Sequence, residues 1–280
     1  MSSFSEAHRL APGPVDLTAI DPAGQPAYDG AKADGEGALA DLGPELADLQ
    51  ERLYANKESG RSVLLVLQGM DTSGKGGVLE HTVGLVSPAG VRVTSFKAPT
   101  EEEKQHDFLW RIEKALPSPG VIGVFDRSHY EDVLIAKVRG FADEAEIERR
   151  YGAIAAFEQR LADNGTTIIK CMLHISADEQ KERLLARLED PAKHWKFNPG
   201  DIDERALWPA YRDAYEIALE RTHTEAAPWH VIPSDRKWYR NLAIGHLLLE
   251  ALRGMELEWP KADFDVEEQK RRLTDEVPVQ

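Results

Sequence analysis

The sequence predicts an α/β fold, with a parallel sheet covered by helices on both faces. Two observations carry this. Short runs that are apolar throughout recur along the chain, and segments of helical period separate them. A strand with one wet face alternates apolar and polar residues, so one that is apolar at every position needs cover on both sides. Crossover helices of a parallel sheet provide that cover. A third observation sets the scale: 280 residues with 42% hydrophobic content suffice for a sizeable core in one large domain.

Residues 1–35 are rich in Pro, Gly, Ala and Asp without a sustained apolar period, which predicts an extended or poorly ordered arm. From Leu39 the series Leu42, Leu46, Leu49 and Leu53 advances by threes and fours and writes one face of a helix. Pro44 is expected to open the main part of that helix, because a mid-helix proline removes a hydrogen bond and clashes with the preceding turn. SVLLVLQ (62–68) then reads as a fully buried strand, and RVTSF (92–96), VIGVFDR (121–127), TTIIKCMLHI (166–175) and WHVIPS (229–234) read the same way. Helices are expected from about Gly74 and from Thr100, where Thr100 and Glu103 form a capping-box signature. Others are expected over about 130–138, 144–162, 177–189, 202–222 and 236–252. The domain proper spans 36–255, and 256–280 is a C-terminal tail.

Composition excludes several function classes. The 49 acidic residues against 34 basic ones give a net charge of −15, whose far field repels nucleic acid and anionic membranes alike. Neither is expected as a partner. About half of the excess lies in residues 1–60, which hold 11 acidic and 4 basic residues, so a basic groove further along is compatible with the total. The single cysteine, Cys171, excludes an internal disulfide and a multi-cysteine zinc site. No apolar run approaches the ~18 residues of a membrane helix, and the N-terminus lacks the pattern of a secretory signal. The expected compartment is the cytoplasm.

The strongest chemical signal is Gly69-Met70-Asp71-Thr72-Ser73-Gly74-Lys75-Gly76, placed between a buried strand and a helix. Glycines let such a loop wrap closely around phosphate, its N–H groups converge, and the helix start adds partial positive charge. Lys75 would supply a full charge to a transferred phosphoryl group. The Ser or Thr that usually ends the loop and binds Mg²⁺ is replaced by Gly76. Asp71 and Asp126, the latter at the end of an apolar strand, are the hard oxygen donors expected to hold the metal instead. Arg127 follows Asp126 and can neutralise charge on the transferred group, or else pair with Glu131 or Asp132. His129 reads as a structural hydrogen-bonding residue. A basic stretch over 181–197 reverses the local sign, and its second half, DPAKHWKFNPGD, is bounded by Pro and Gly. Arg187, Lys193 and Lys196 are expected on a mobile lid over about 180–202; Lys181 and Arg183 are expected on a solvated helix face. Lys97, near the end of a strand, is a further candidate for substrate phosphate.

Taken together, GMDTSGKGG (69–77), SFKAPTEEE (95–103), FDRSHYEDVL (125–134), DPAKHWKFNPGDI (190–202) and APWHVIPSD (227–235) resemble the family-2 polyphosphate kinases, in the expected order over about residues 35–255. The resemblance implies a P-loop kinase fold similar to thymidylate kinase, with a helical lid. It also implies Mg²⁺-dependent transfer of a phosphoryl group between inorganic polyphosphate and a nucleotide. By position, Gly69, Gly74, Gly76 and Lys75 would cradle phosphates, Asp71 and Asp126 would organise metal and acceptor phosphate, and Arg127 would stabilise the transferred group. Arg187, Lys193 and Lys196 match the family's basic lid. The run Ser128–Asp132 looks like the short single-domain members acting on nucleoside mono- and diphosphates, with Glu131 and Asp132 helping to place the nucleotide. AMP and ADP are the expected acceptors. Self-association is expected, with the helix face of residues 44–58 as a candidate interface. The rivals are a nucleotide kinase using ATP as donor and, in a different class, a nucleotide-binding switch without catalysis. The switch class normally needs the loop hydroxyl that is absent here.

Overall fold

The computed structural model describes residues 3–276. Five strands, β1 (Ser62–Gly69), β2 (Val91–Ser95), β3 (Ile122–Asp126), β4 (Thr166–His174) and β5 (Trp229–Pro233), form one parallel sheet in the order β2-β3-β1-β4-β5. The register sets Ser95 and Leu67 opposite Asp126, and Gly69 opposite Leu173. Gly69, Asp126 and Ser95 thereby share the carboxyl edge of the sheet, where open α/β sheets bind ligands.

Along β1 the side chains divide between two cores. Val63, Leu65 and Leu67 pack with α2 (Lys32–Ala55), α3 (Lys75–His81) and α10 (Lys237–Gly254), while Leu64 and Val66 pack with α6 (Glu144–Asp163) and α9 (Trp208–Thr222). The remaining helices are short: α1 (Phe4–His8), α4 (Trp110–Ala115), α5 (Ile135–Val138), α8 (Gly200–Arg205) and α11 (Val266–Thr274), with α7 (Ala177–Glu189) leading into the lid segment. Under α6, Lys170 Nζ is fully buried; it donates to Glu158 at 2.6 Å, to Tyr130 Oη at 2.9 Å and to the Thr222 carbonyl at 2.8 Å. His129 completes this network on Glu158 at 3.2 Å.

Several elements depart from expectation. The N-terminal arm lies against the domain: Phe4 and Leu17 are buried, the Arg9 backbone forms an antiparallel bridge with His230 in β5, and the His8 ring meets Tyr239 Oη at 2.7 Å. Its apolar residues are too widely spaced to show a period, yet each finds a site. Pro44 sits inside a continuous α2. Both it and Ala40, whose carbonyl loses its partner, are exposed, so water can satisfy that group. The leucine face of α2 packs into the core against α10. β2 is an edge strand with mostly exposed residues. Thr100 and Glu103 do form the reciprocal cap, at 2.8 and 3.2 Å, but only a single turn of 3-10 helix follows. The helices expected over 130–138 and 202–222 are each broken, the second before α9, where Pro209 stands in the first turn. The tail carries α11, which has no buried residue.

Candidate active site

The loop after β1 is built by backbone requirements. Gly69 has φ 151°, and a Cβ there would stand 2.7 Å from the Leu173 carbonyl oxygen. Gly74 has φ 107°, and a Cβ would stand 1.7 Å from the Arg240 guanidinium. Only glycine fits either position. Gly76 differs: open space surrounds it, so sterics do not demand glycine there. Between them Thr72 holds φ 60°, a conformation that costs a β-branched residue energy and needs support from its surroundings.

That support comes from outside the loop. Arg183 donates to the carbonyls of Thr72 (2.8 Å) and Ser73 (3.1 Å), and to those of Ser234 (2.5 Å) and Asp235 (3.0 Å). Arg240 donates to Ser73 O at 3.1 Å, and Gln180 to Asp71 O at 3.0 Å. Burial, reinforced by Arg183, lowers the Arg240 pKa to about 9. Tyr215 Oη accepts from Gly69 N at 3.1 Å. With the carbonyls thus engaged, the amides of Thr72, Gly74, Lys75 and Gly76 have no acceptor among the described residues. The buried hydroxyls of Thr72 and Ser73 likewise lack partners. Converging, unpaired donors of this kind form an anion cradle. Lys75 lies beside it, its Nζ 3.0 Å from Gly69 O. Burial, with Arg127 adding to it, lowers the Lys75 pKa, against the pull of Asp126, Glu131 and Asp71.

The end of β3 supplies the facing groups. Asp126 accepts from Ser95 Oγ at 3.3 Å. Arg127 takes φ 62°, held by a bond from its amide to Leu67 O at 3.1 Å. Its side chain is exposed and faces Glu131, Asp71 and Asp126; these carboxylates outweigh the desolvation it does suffer and raise its pKa. Burial raises the Glu131 pKa against Arg127 and Lys75. Asp132 meets Arg111 at 3.2 Å and Arg150 at 3.9 Å; burial raises its pKa against both. Arg187 reaches down from α7 to Asp71 at 3.4 Å and Asp201 at 3.7 Å. The expected residues Asp71, Lys75, Asp126, Arg127, Glu131 and Arg187 therefore meet around one loop.

A cleft of about 700 Å³ opens from Arg127 and Glu131 toward the β2 edge. Phe96, Lys97, Phe141, Arg111, Asp132 and Arg150 are among its walls. Flat apolar rings beside a few charged groups suit a ligand with an aromatic part and an anionic part. Lys193 and Lys196 are not brought to the loop: Lys193 pairs with Asp190 at 2.8 Å, and Lys196 lies 5.0 Å from the Trp195 ring.

The expectation that Arg183 belongs to a solvated face is corrected. It is 8% exposed and grips the loop from beneath, on the opposite side of α7 from exposed Leu185 and Leu188. Arg111, Arg150, Tyr215 and Arg240 were not singled out by sequence reasoning. Each lies on a helix where its charge or ring looks ordinary until the fold brings it round.

No group of three or more His, Cys, Asp or Glu forms a metal cage among the described residues. Mg²⁺ at phosphoryl-transfer sites is typically held by one or two carboxylates together with substrate phosphates. Asp71 and Asp126, on either side of the cradle, fit that donor set.

The chain matches the family described as Polyphosphate kinase 2 (PPK2) over residues 30–260. It is 46% identical over 257 residues to the AMP/ADP-polyphosphate phosphotransferase of Meiothermus ruber, covering 91% of this chain and 96% of that one. It is 42% identical over 228 residues to the ADP-polyphosphate phosphotransferase of Rhodopseudomonas palustris, covering 77% and 78%. The crystal structure of Polyphosphate Kinase 2 from Arthrobacter aurescens superposes with a TM-score of 0.95 at 55% identity, covering 98% of both chains.

Proposed function

Because the chain belongs to the polyphosphate kinase 2 family, we propose that it transfers a phosphoryl group between inorganic polyphosphate and AMP or ADP. The observation that carries the reading is the run of unpaired amides around Lys75, joined through Arg127 to a cleft walled by phenylalanines and arginines. The end of the polyphosphate chain lies in the cradle, where the amides and Lys75 neutralise it. The nucleotide lies in the cleft, its phosphate turned toward Arg127 and its remaining anionic charge facing Arg111 and Arg150.

Transfer is in line. A phosphate oxygen of the acceptor attacks the terminal phosphorus, and the bond from that phosphorus to the bridging oxygen breaks. The electron pair leaves with the shortened chain. Little covalent work falls to the protein, so positioning and charge stabilisation dominate. Asp71 and Asp126 would hold Mg²⁺, which when bound supplies positive charge to the phosphate oxygens. Arg127, fixed in a strained backbone geometry and surrounded by carboxylates, is preorganised to follow the moving charge.

The test is a product assay with purified protein, Mg²⁺ and polyphosphate, with AMP and ADP offered in turn. Controls contain EDTA, omit the donor, or replace it with ATP. ADP and ATP formed only with both polymer and metal support the reading. Transfer from ATP but not from polyphosphate would make the protein an ordinary nucleotide kinase, and nucleotide binding without turnover would favour the switch.

A further inference from the structure

Gln68, the residue before the phosphate loop, is a polar side chain fully buried near the end of β1. Beside it the ladder between β1 and β3 stops. Arg127 donates its amide to Leu67 O at 3.1 Å and then turns the chain out of the sheet at φ 62°. The next amide, that of Ser128, has no backbone acceptor among the described residues. Ser128 is fully buried as well, where an N–H without an acceptor is costly. The Gln68 side chain meets that need: one end of its amide lies 3.1 Å from Ser128 N and 3.0 Å from Ser128 Oγ. The other end lies 3.1 Å from Glu131 Oε1. A backbone N–H requires an acceptor at the first end, and a carboxylate requires a donor at the second. The oxygen therefore faces Ser128, and the nitrogen donates to Glu131.

The two bonds grip one turn of 3-10 helix, His129–Asp132, at its cap and within it. Ser128 is the cap, its Oγ accepting from Tyr130 N at 3.3 Å, and Glu131 N donates to Ser128 O at 3.1 Å. One buried amide thus sets where the turn begins and which way the Glu131 carboxylate points. Burial raises the Glu131 pKa, and Arg127, Lys75 and the bond from Gln68 oppose the rise. Glu131 and Arg127 both wall the cleft, whereas Gln68 is not among its walls. Resting on the functional reading above, we propose that Gln68 is a positioning residue for the acceptor nucleotide. It acts through Glu131, holding that carboxylate in the orientation in which it faces Arg127, and so keeps Arg127 aligned with the acceptor phosphate.

The experiment compares the wild type with Gln68→Met, which loses both bonds, and with Gln68→Glu, which keeps the acceptor toward Ser128 and changes only the group facing Glu131. Thermal melts establish that each variant is folded at the assay temperature. Both should lower kcat/KM for AMP and ADP by about 10-fold, with KM for polyphosphate within about 2-fold of the wild type. The carboxyl introduced by Gln68→Glu can donate to Glu131 only while protonated. Around Glu131, Arg127 and Lys75 favour the charged form and Asp132 opposes it; the Tyr211 and Tyr215 hydroxyls that face it stay neutral, their pKa values raised chiefly by burial. Activity of Gln68→Glu relative to the wild type is therefore expected to fall about 10-fold as pH rises from about 6 to about 9. In a Glu131→Ala background the same change should cost less than about 2-fold and lose its pH dependence, since the group it acts through is gone. Equal losses for donor and acceptor, or a cost undiminished in the Glu131→Ala background, overturn the proposal. Equilibrium binding of AMP and ADP without polyphosphate separates this question from the functional one. Binding weakened by both variants, in a protein that never transfers from polyphosphate, sinks the kinase reading alone. Binding and transfer equal to the wild type in both variants sink the role of Gln68 alone.

Discussion

At the scale of single residues, charge is set by what surrounds it. Lys75 is held among Asp71, Asp126 and Glu131, yet burial dominates and its pKa moves down. Its ammonium is therefore poorly hydrated and available to phosphate. Lys75→Ala and Asp126→Ala are each expected to lower turnover by at least ~100-fold, the scale of a lost electrostatic stabiliser. The fold should persist, which steady-state rates and a thermal melt would check together; full activity would remove that residue from the site. Arg183 acts through the loop and is a positioning residue. Arg183→Lys keeps the charge but loses the forked donors that serve four carbonyls. Its expected effect is a drop of about 10–100-fold in kcat/KM for polyphosphate, on the scale of misplaced catalytic groups. KM for the acceptor nucleotide, whose cleft Arg183 does not line, should hold; equal losses for donor and acceptor would indicate general unfolding.

At the scale of elements, the N-terminal arm is fastened where histidines gather. His8 contacts Tyr239 Oη and Phe4 O and faces Glu250. His230 meets Ser5 Oγ at 3.2 Å and faces the Lys170 carbonyl, His8, Arg9 and His223. His246 stacks on Phe4 at 4.0 Å between Glu250 and Arg253. His174 bonds Ile20 O at 3.1 Å and faces Asp21 and Asp235. Burial lowers all four pKa values, that of His230 from 6.5 to about 4. A lowered pKa means that the unfolded arm binds protons more readily, so docking is favoured above pH 6.5 and weakens as pH falls toward about 4. Amide exchange in residues 3–20 is expected to rise markedly between pH 7.5 and 5 while α6 stays protected. An arm equally protected at both values would rule this out.

At the scale of the whole molecule, the two cores meet across one sheet, and the Lys170–Glu158 pair lies inside one of them, with both side chains at most 1% exposed. Lys170→Met leaves a carboxylate buried with only Tyr130 and His129 as partners, and a loss of about 3–5 kcal/mol is expected. Adding Glu158→Leu should recover much of that loss, since replacing a whole buried pair is often close to neutral. Denaturant melts of the wild type, single and double variants would check it; a double variant as unstable as the single one would show that the network itself, rather than the uncompensated charge, holds the core.

Contiguous residues fix their own local physics. All five strands, the helices of strong period and the loop from Gly69 to Gly76 were therefore legible in the sequence, as were Asp71, Asp126 and Arg127, which sit at strand ends next to apolar runs. The clamps on that loop were not. Arg183, Tyr215 and Arg240 lie 111, 146 and 167 residues from the loop atoms they hold, and nothing near them in the chain distinguishes them from surface residues. The docked arm and the edge position of β2 were hidden for the same reason. Sequence alone determined which segments could bury themselves and where a phosphate loop must form. Tertiary structure decided which distant cations and rings surround that loop, because burial and electrostatic contact depend on proximity in space, which the spacing of residues along the chain does not record.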